Sequence, residues 1–296
     1  MTQYLFQQII NGLALGSLYA LVAIGFSMIY GIVRLINFAH GDLVMIGSFS
    51  TLALVAAGIP WPLILLFVLA VGAMAGMMIE TVVFRPMRGS SQVTGFIATL
   101  AVSIAIQNSA LMVLTGQPRN FLFPAYMRQR LELGGVSASL TDIIIIVLTL
   151  LLIAGLFLIV YRTRLGTAMR ATAENLTAAR LMGVAVNRTI LAAFAIGSAL
   201  AAVSGLFWGG KFGQIDPLLG FVPGLKAFVA CVIGGVGSIG GAMMGGYILG
   251  LAEVLFVGLL PQEYSGYRDT FVFLLLIVIL LVRPSGLFVR QSGERA

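Results

Sequence analysis

Few side chains in this sequence can do chemistry, and those few lie inside or between long apolar runs. GIVRLINFAHGD, Gly31 to Asp42, brings Asn37, His40 and Asp42 together. Gln107 and Asn108 sit in the middle of the apolar run Val93–Thr115, and Glu253 lies within Ala242–Leu260. Buried amides and carboxylates in a bilayer either bond to neighbouring helices or line a polar path, because leaving them unpaired is costly. Glu80, near the end of Leu63–Phe84, has Arg85 close by, which places both at an interface. Glu253 has no cation near it in sequence, so a bond to another helix and a role in ion coupling both stay open. His40 is the only histidine and Cys231 the only cysteine, so no histidine triad, zinc site or intramolecular disulfide can be assembled. Gly205–Phe212, GLFWGGKF, matches the start of a phosphate-binding loop by chance. It has Phe212 where a magnesium-binding Ser or Thr is required, and it ends an apolar span. With no H-E-x-x-H and no G-x-S-x-G, the chain reads as a conduit, not as an enzyme.

The elements that hold these residues are set by composition. The chain of 296 residues is 60% hydrophobic and 9% charged, against about 25% charged in a soluble domain. Its mean hydropathy is +1.07. The apolar runs are continuous over about 20 residues and do not alternate with period two, so the expected class is an all-α polytopic membrane protein and not a barrel. The net charge of +7 lies in short loops, as the positive-inside bias requires, and calls for no nucleic acid. The first residues, MTQYLFQQII, lack a basic leader, so the first run is expected to be a retained span.

Spans are expected over Leu5–Tyr30, Leu43–Ala57, Leu63–Phe84, Val93–Thr115, Asp142–Tyr161, Thr189–Gly209, Ala242–Leu260 and Thr270–Val282, with a short or re-entrant element at Leu225–Ile233. That makes a bundle of about eight transmembrane helices, or eight to nine inserted segments, forming one membrane domain over residues 1–296. The parity of the ninth element leaves the side of the N-terminus open. Gly31–Asp42 has two readings. The simpler is an inside loop. The other is a break within the membrane, which survives only where protein or water satisfies its backbone. Gly12, Gly16 and Ser17 form a close-packing stripe, and the run Gly234–Gly250 pairs Gly241 with Gly245 and Gly246 with Gly250 in G-xxx-G spacing. Residues 116–141 form the longest outer segment. Alternation on both sides of Gly134-Gly135 predicts a hairpin over Arg128–Leu140.

The most polar segment is Arg162–Arg188, with Arg162, Arg164, Arg170, Arg180 and Arg188 between two apolar runs. Arginines beside spans mark the cytoplasmic side. Asn175 can cap a short helix, Leu176–Met182, with Arg180 in its last turn and Gly183 at the C′ position. Such a helix invites a soluble partner, and a loop that only sets topology is the alternative. Arg283-Pro284, with Arg290 and Arg295 beyond, puts the C-terminus inside.

GIVRLINFAHGDLVMIG (Gly31–Gly47), RATAENLTAARLMGV (Arg170–Val184) and AFVACVIGGVGSIGGAMMGG (Ala227–Gly246) resemble, in order and spacing, the LivH-type permeases of branched-chain amino-acid ABC transporters. The likeness extends to SLYALVAIGFSMIYG, RPMR and LLVRPSGLF. It implies a permease subunit in the bacterial inner membrane that moves branched-chain or other apolar amino acids by alternating access. The implied partners are a second, LivM-like permease or a second copy, two cytoplasmic ATPases carrying ATP and magnesium, and a periplasmic or lipid-anchored binding protein. Glu174 to Gly183, with Arg170, would then be the coupling element, although Glu174-Asn175 stands apart from the EAA-G pattern of other importers. The path would be lined by Asn37, His40, Asp42, Gln107, Asn108 and Glu253. Related permeases carry other small solutes, such as sugars or urea, and an ion-coupled carrier would need Glu253 as its coupling group.

Overall fold

The computed structural model describes residues 2–133 and 136–288. The first helix, α1 (Thr2–Val33), stops at Arg34, which adopts the left-handed conformation (φ +55°) that usually falls to glycine and donates its N–H to the Tyr30 carbonyl. The chain then doubles back in extended form along α1. After a 3-10 turn over Phe38–His40, the His40 imidazole meets the Val22 carbonyl at 3.2 Å. Eleven residues separate Val22 from Val33, so the return covers about 16 Å of helix. Only then does α2 (Asp42–Ala56) begin. Gly31–Asp42 is therefore a break inside the bundle and not a surface loop: Asn37, His40 and Asp42 are all buried.

Trp61–Ile79 forms α3, which continues as one π turn over Glu80–Phe84, and α4 spans Gln92–Leu114. Two short antiparallel strands follow, β2 (Arg130–Leu133) and β3 (Val136–Ser139), where the hairpin is expected; its tip, Gly134-Gly135, lies outside the described residues. A further strand, β1 (Arg119–Asn120), comes before them. The fifth span is α5 (Leu140–Arg162). The arginine-rich segment folds as two helices where one is expected, α6 (Arg164–Glu174) and α7 (Leu176–Leu181), and leads into α8 (Val186–Phe212). Then β4 (Gln214–Ile215) pairs with β1, and α9 (Phe221–Gly234), α10 (Ile239–Leu259) and α11 (Arg268–Val282) complete the chain. Among the described residues, eight helices are long and apolar enough to cross a membrane, and α9 is a shorter apolar ninth.

Two triplets form the centre. In each, a long helix is followed by a broken return, a short helix and a glycine-lined helix: α1–α2–α3 and α8–α9–α10. Gly72 and Gly76 of α3 lie against Ala202 and Ser198 of α8, while Gly246 and Gly250 of α10 lie against Ala20 and Gly16 of α1. Small residues let these backbones approach to a distance that side chains would forbid. Gly241 and Gly245 serve a different contact, against Gly234 and Ala230 of α9, so the two halves of the glycine run face two different helices. Residues 12–29 of α1 are almost wholly buried, whereas α4 and α11 lie on the periphery with apolar faces outward.

The two ends of the bundle differ. Arg34, Arg88, Leu176 and Ile190 share one end, as do Gly31, Arg170 and Gly237, and the Leu287 N–H returns there to the Ile233 carbonyl. Tyr4, whose hydroxyl bonds to the Gly258 carbonyl, lies at the opposite end with β1–β4 and the Asp142–Lys211 ion pair. The beginning of α1 and the arginine-rich end are thus on opposite sides, as parity requires when all nine elements cross.

Candidate translocation site and coupling surface

The two broken returns meet in the middle of the bundle. Gly25 of α1 faces Gly197 near the centre of α8, and the His40 ring lies beside them. A Cβ on Gly41 would stand 2.8 Å from the Gly224 Cα and closer still to the Gly220 carbonyl; one on Gly220 would stand 2.8 Å from the Asp42 Cα. Both α2 and α9 therefore start at this crossing. α2 runs from it to the end where the Phe49 ring lies under Arg119, and α9 runs to the arginine-rich end. About 14 helical residues cover about 21 Å, less than a hydrocarbon core of about 30 Å, and the extended returns supply the rest.

The backbone freed by the break is held by its neighbours. The Thr99 hydroxyl of α4 donates to the Ile36 carbonyl at 3.0 Å. Gln107, about two turns further along the same face of α4, donates to Asp42 Oδ1 at 2.9 Å and also reaches Ser103. Asn37, His40, Asp42 and Gln107 are thus brought to one place. Asn108 is not: it is exposed on the other face of α4 and bonds back to the Ile104 carbonyl, so it leaves this set. Neighbours in sequence on a helix point about 100° apart, and the sequence offers no way to tell which amide faces inward. Several groups at the crossing have no protein partner: both amide atoms of Asn37, the second oxygen of Asp42, and His40 Nδ1.

Glu253 does not join this cluster either. It lies on α10, accepting from the Tyr19 hydroxyl at 2.8 Å, from the Lys226 ammonium at 2.8 Å and from the Arg268 guanidinium. Lys226 also reaches Asp269 at 2.6 Å. Two cations and two carboxylates thus balance one another, and Glu253 is fully buried among them. Lys226 was not legible as a partner, since 27 residues separate it from Glu253 and only the packing of α9 on α10 joins them. A cleft of about 570 Å³ opens beside this network at the end carrying Tyr4 and Lys211.

At the arginine-rich end, Thr163 caps α6 by accepting from the Gly166 N–H at 3.1 Å, and Asn175 caps α7 by accepting from the Ala178 N–H at 2.9 Å. Arg180 stands in the last turn, and Gly183 follows with φ +81° and open space around it. Arg170, itself exposed, donates to the Val160 carbonyl and lies over the Tyr161 ring, tying α6 to α5. Glu174, Asn175 and Arg180 are exposed. So are Leu181 (83%) and Met182 (84%), two apolar side chains standing out from a charged end.

A helical bundle with a buried polar crossing at its centre is the architecture of a multi-pass membrane permease. Residues 8–282 match the family described as the permease component of branched-chain amino acid transport systems, and the chain belongs to that family. It is 41% identical to the high-affinity branched-chain amino acid transport system permease protein LivH of Escherichia coli, covering 99% of this chain and 98% of that one. It is 40% identical to the corresponding protein BraD of Pseudomonas aeruginosa, over 98% and 97% of the two chains. A probable LivH of Methanocaldococcus jannaschii is 30% identical over 92% of this chain and 88% of its own length. No solved structure gives a significant match.

Proposed function

We propose that the chain is the permease subunit of an ATP-driven importer that carries branched-chain amino acids across the bacterial inner membrane by alternating access. It pairs with a second, LivM-like permease or a second copy of itself. Two ATPases dock at the arginine-rich, cytoplasmic end, where the C-terminus also lies. A periplasmic or lipid-anchored binding protein delivers the solute at the opposite end, near the β2–β3 hairpin. ATP and magnesium belong to the ATPases.

The observation that carries the reading is α7, a short helix capped at both ends with Leu181 and Met182 almost fully exposed at its tip. Exposed apolar pairs at the end of a rigid helix suit a hydrophobic groove on a soluble partner. A loop that only set topology would need neither the caps nor the apolar tip. The Glu253 network weighs against ion coupling, since its carboxylate is already matched by Lys226 and Arg268.

The test is co-purification from native membranes with the chain tagged. Two ATPases and a second hydrophobic subunit are expected to come with the native chain, and Leu181→Asp with Met182→Asp is expected to release the ATPases while the second permease stays. A chain that purifies alone yet transports in liposomes overturns the reading.

A further inference from the structure

The crossing of the two returns encloses a cavity of about 20 Å³, bounded by Asn37, Ser103 and apolar groups from three helices, α1, α4 and α9, and the break. That is room for about one water molecule and nothing larger. Yet Asn37, 2% exposed, faces this space with neither its carbonyl oxygen nor its amide nitrogen hydrogen-bonded. A buried amide left with both atoms unsatisfied costs several kcal/mol in hydrocarbon, at the upper end for an environment that offers no hydrogen bond, and such a group calls for a polar partner, be it water or solute.

The two short helices differ in the charge at their first turns. α2 begins with Asp42, whose second carboxylate oxygen has no partner. α9 has no acid in its own first turn, and Asp42 lies against Gly220 at its start. A negative group and two helix starts therefore lie at the Gly41–Gly220 contact. Beside them Phe26 and Phe38 pack on Phe228, with ring centroids 5.6 and 6.2 Å from it, and Leu100 and Leu225 complete an apolar wall.

We propose that this crossing is the closed form of a binding site for a zwitterionic α-amino acid with an aliphatic side chain. The ammonium lies toward Asp42 and the Asn37 carbonyl oxygen, the carboxylate toward the Asn37 amide, and the side chain against Phe26, Phe38 and Phe228. The site opens when α9 moves off α2, a motion that the glycine contacts leave unobstructed by side chains. With only one neutral amide and one shared carboxylate, the bound solute is held weakly enough to leave. This rests on the importer reading above.

The experiment reconstitutes the complete transporter in liposomes with saturating binding protein and follows labelled leucine uptake. Asn37→Ala is expected to lower uptake about tenfold or more, as when a hydrogen bond to a charged group is lost, while the subunits still co-purify. Phe228→Ala is expected to shift preference from leucine toward phenylalanine. Should Asn37→Ala fail to assemble, Asn37→Cys decides instead: leucine protects it from a thiol reagent if the site is right and does not if it is wrong. Native uptake by an assembled Asn37→Ala transporter with unchanged selectivity in Phe228→Ala overturns the site. A native transporter that carries no aliphatic amino acid overturns the importer reading instead.

Discussion

Arg88 holds the buried carboxylate of Glu80 with one guanidinium nitrogen and the side chain of Asn187 with the other, tying the π turn after α3 to the first turn of α8. Arg85, at 3.4 Å from Glu80, is the weaker partner. The sequence points to Arg85 as the explanation for Glu80, but the residue eight positions away carries the bridge. The link connects the strand of chain leaving α7 with the helix that packs along α8 through Gly72 and Gly76.

Arg88→Ala leaves Glu80, in a buried position, with only two longer contacts, the Thr81 hydroxyl at 3.3 Å and Arg85 at 3.4 Å. Removing one member of a buried pair costs about 3–5 kcal/mol when nothing replaces it, and Arg85 offsets part of that here. The expected result is a lower midpoint of thermal unfolding for the detergent-solubilised protein, with Arg88→Ala and Glu80→Gln together losing less than the sum of the two. Additive losses would mean that the contact does not couple the two helices.

Glu253→Gln keeps the shape but strips the charge that Lys226 and Arg268 share. The same imbalance predicts a loss of about 3–5 kcal/mol, read as reduced unfolding midpoint and yield. Lys226→Met added to it is expected to restore part of that loss, because one uncompensated cation is removed. If Glu253→Gln alone is as stable as the native chain, the network is not what holds α9, α10 and α11 together.

Gly41→Val places two methyl groups where Gly220 and Gly224 already sit. Overpacking of a fixed backbone contact costs about 1–3 kcal/mol and sometimes more. Reduced folded protein in the membrane, with Gly58→Val nearly neutral in space, is the expected contrast: nothing lies within 4 Å of a Cβ on Gly58, although its φ of +73° adds backbone strain. Equal yields of Gly41→Val and native chain would place the two breaks apart.

Asn175→Ala removes the side-chain cap of α7 and costs that helix about 1 kcal/mol. Since the helix is only six residues long, fraying of this size is expected to weaken ATPase co-purification, and Asn175→Ser to retain it. Unfolding of the membrane part is expected to be unchanged. A shift in global stability would argue that α7 is part of the packed bundle.

The sequence by itself determined what the solvent imposes. Runs of apolar residues long enough to cross hydrocarbon have few alternatives to a helix, so the span positions, the capped helix at Asn175 and the glycine-lined packing were readable locally, and the ordered motifs identified the family. Only the tertiary structure decided where polar residues point and what they meet. Gln107 and Asn108 are adjacent in sequence and diverge on the helix. Glu253 finds Lys226 through the packing of two helices. Gly31–Asp42 reads most simply as a loop, and shows itself as a break only when α4, α8 and α9 close around it. Burial of a polar group depends on long-range neighbours that pair with it, and no local window of sequence contains them.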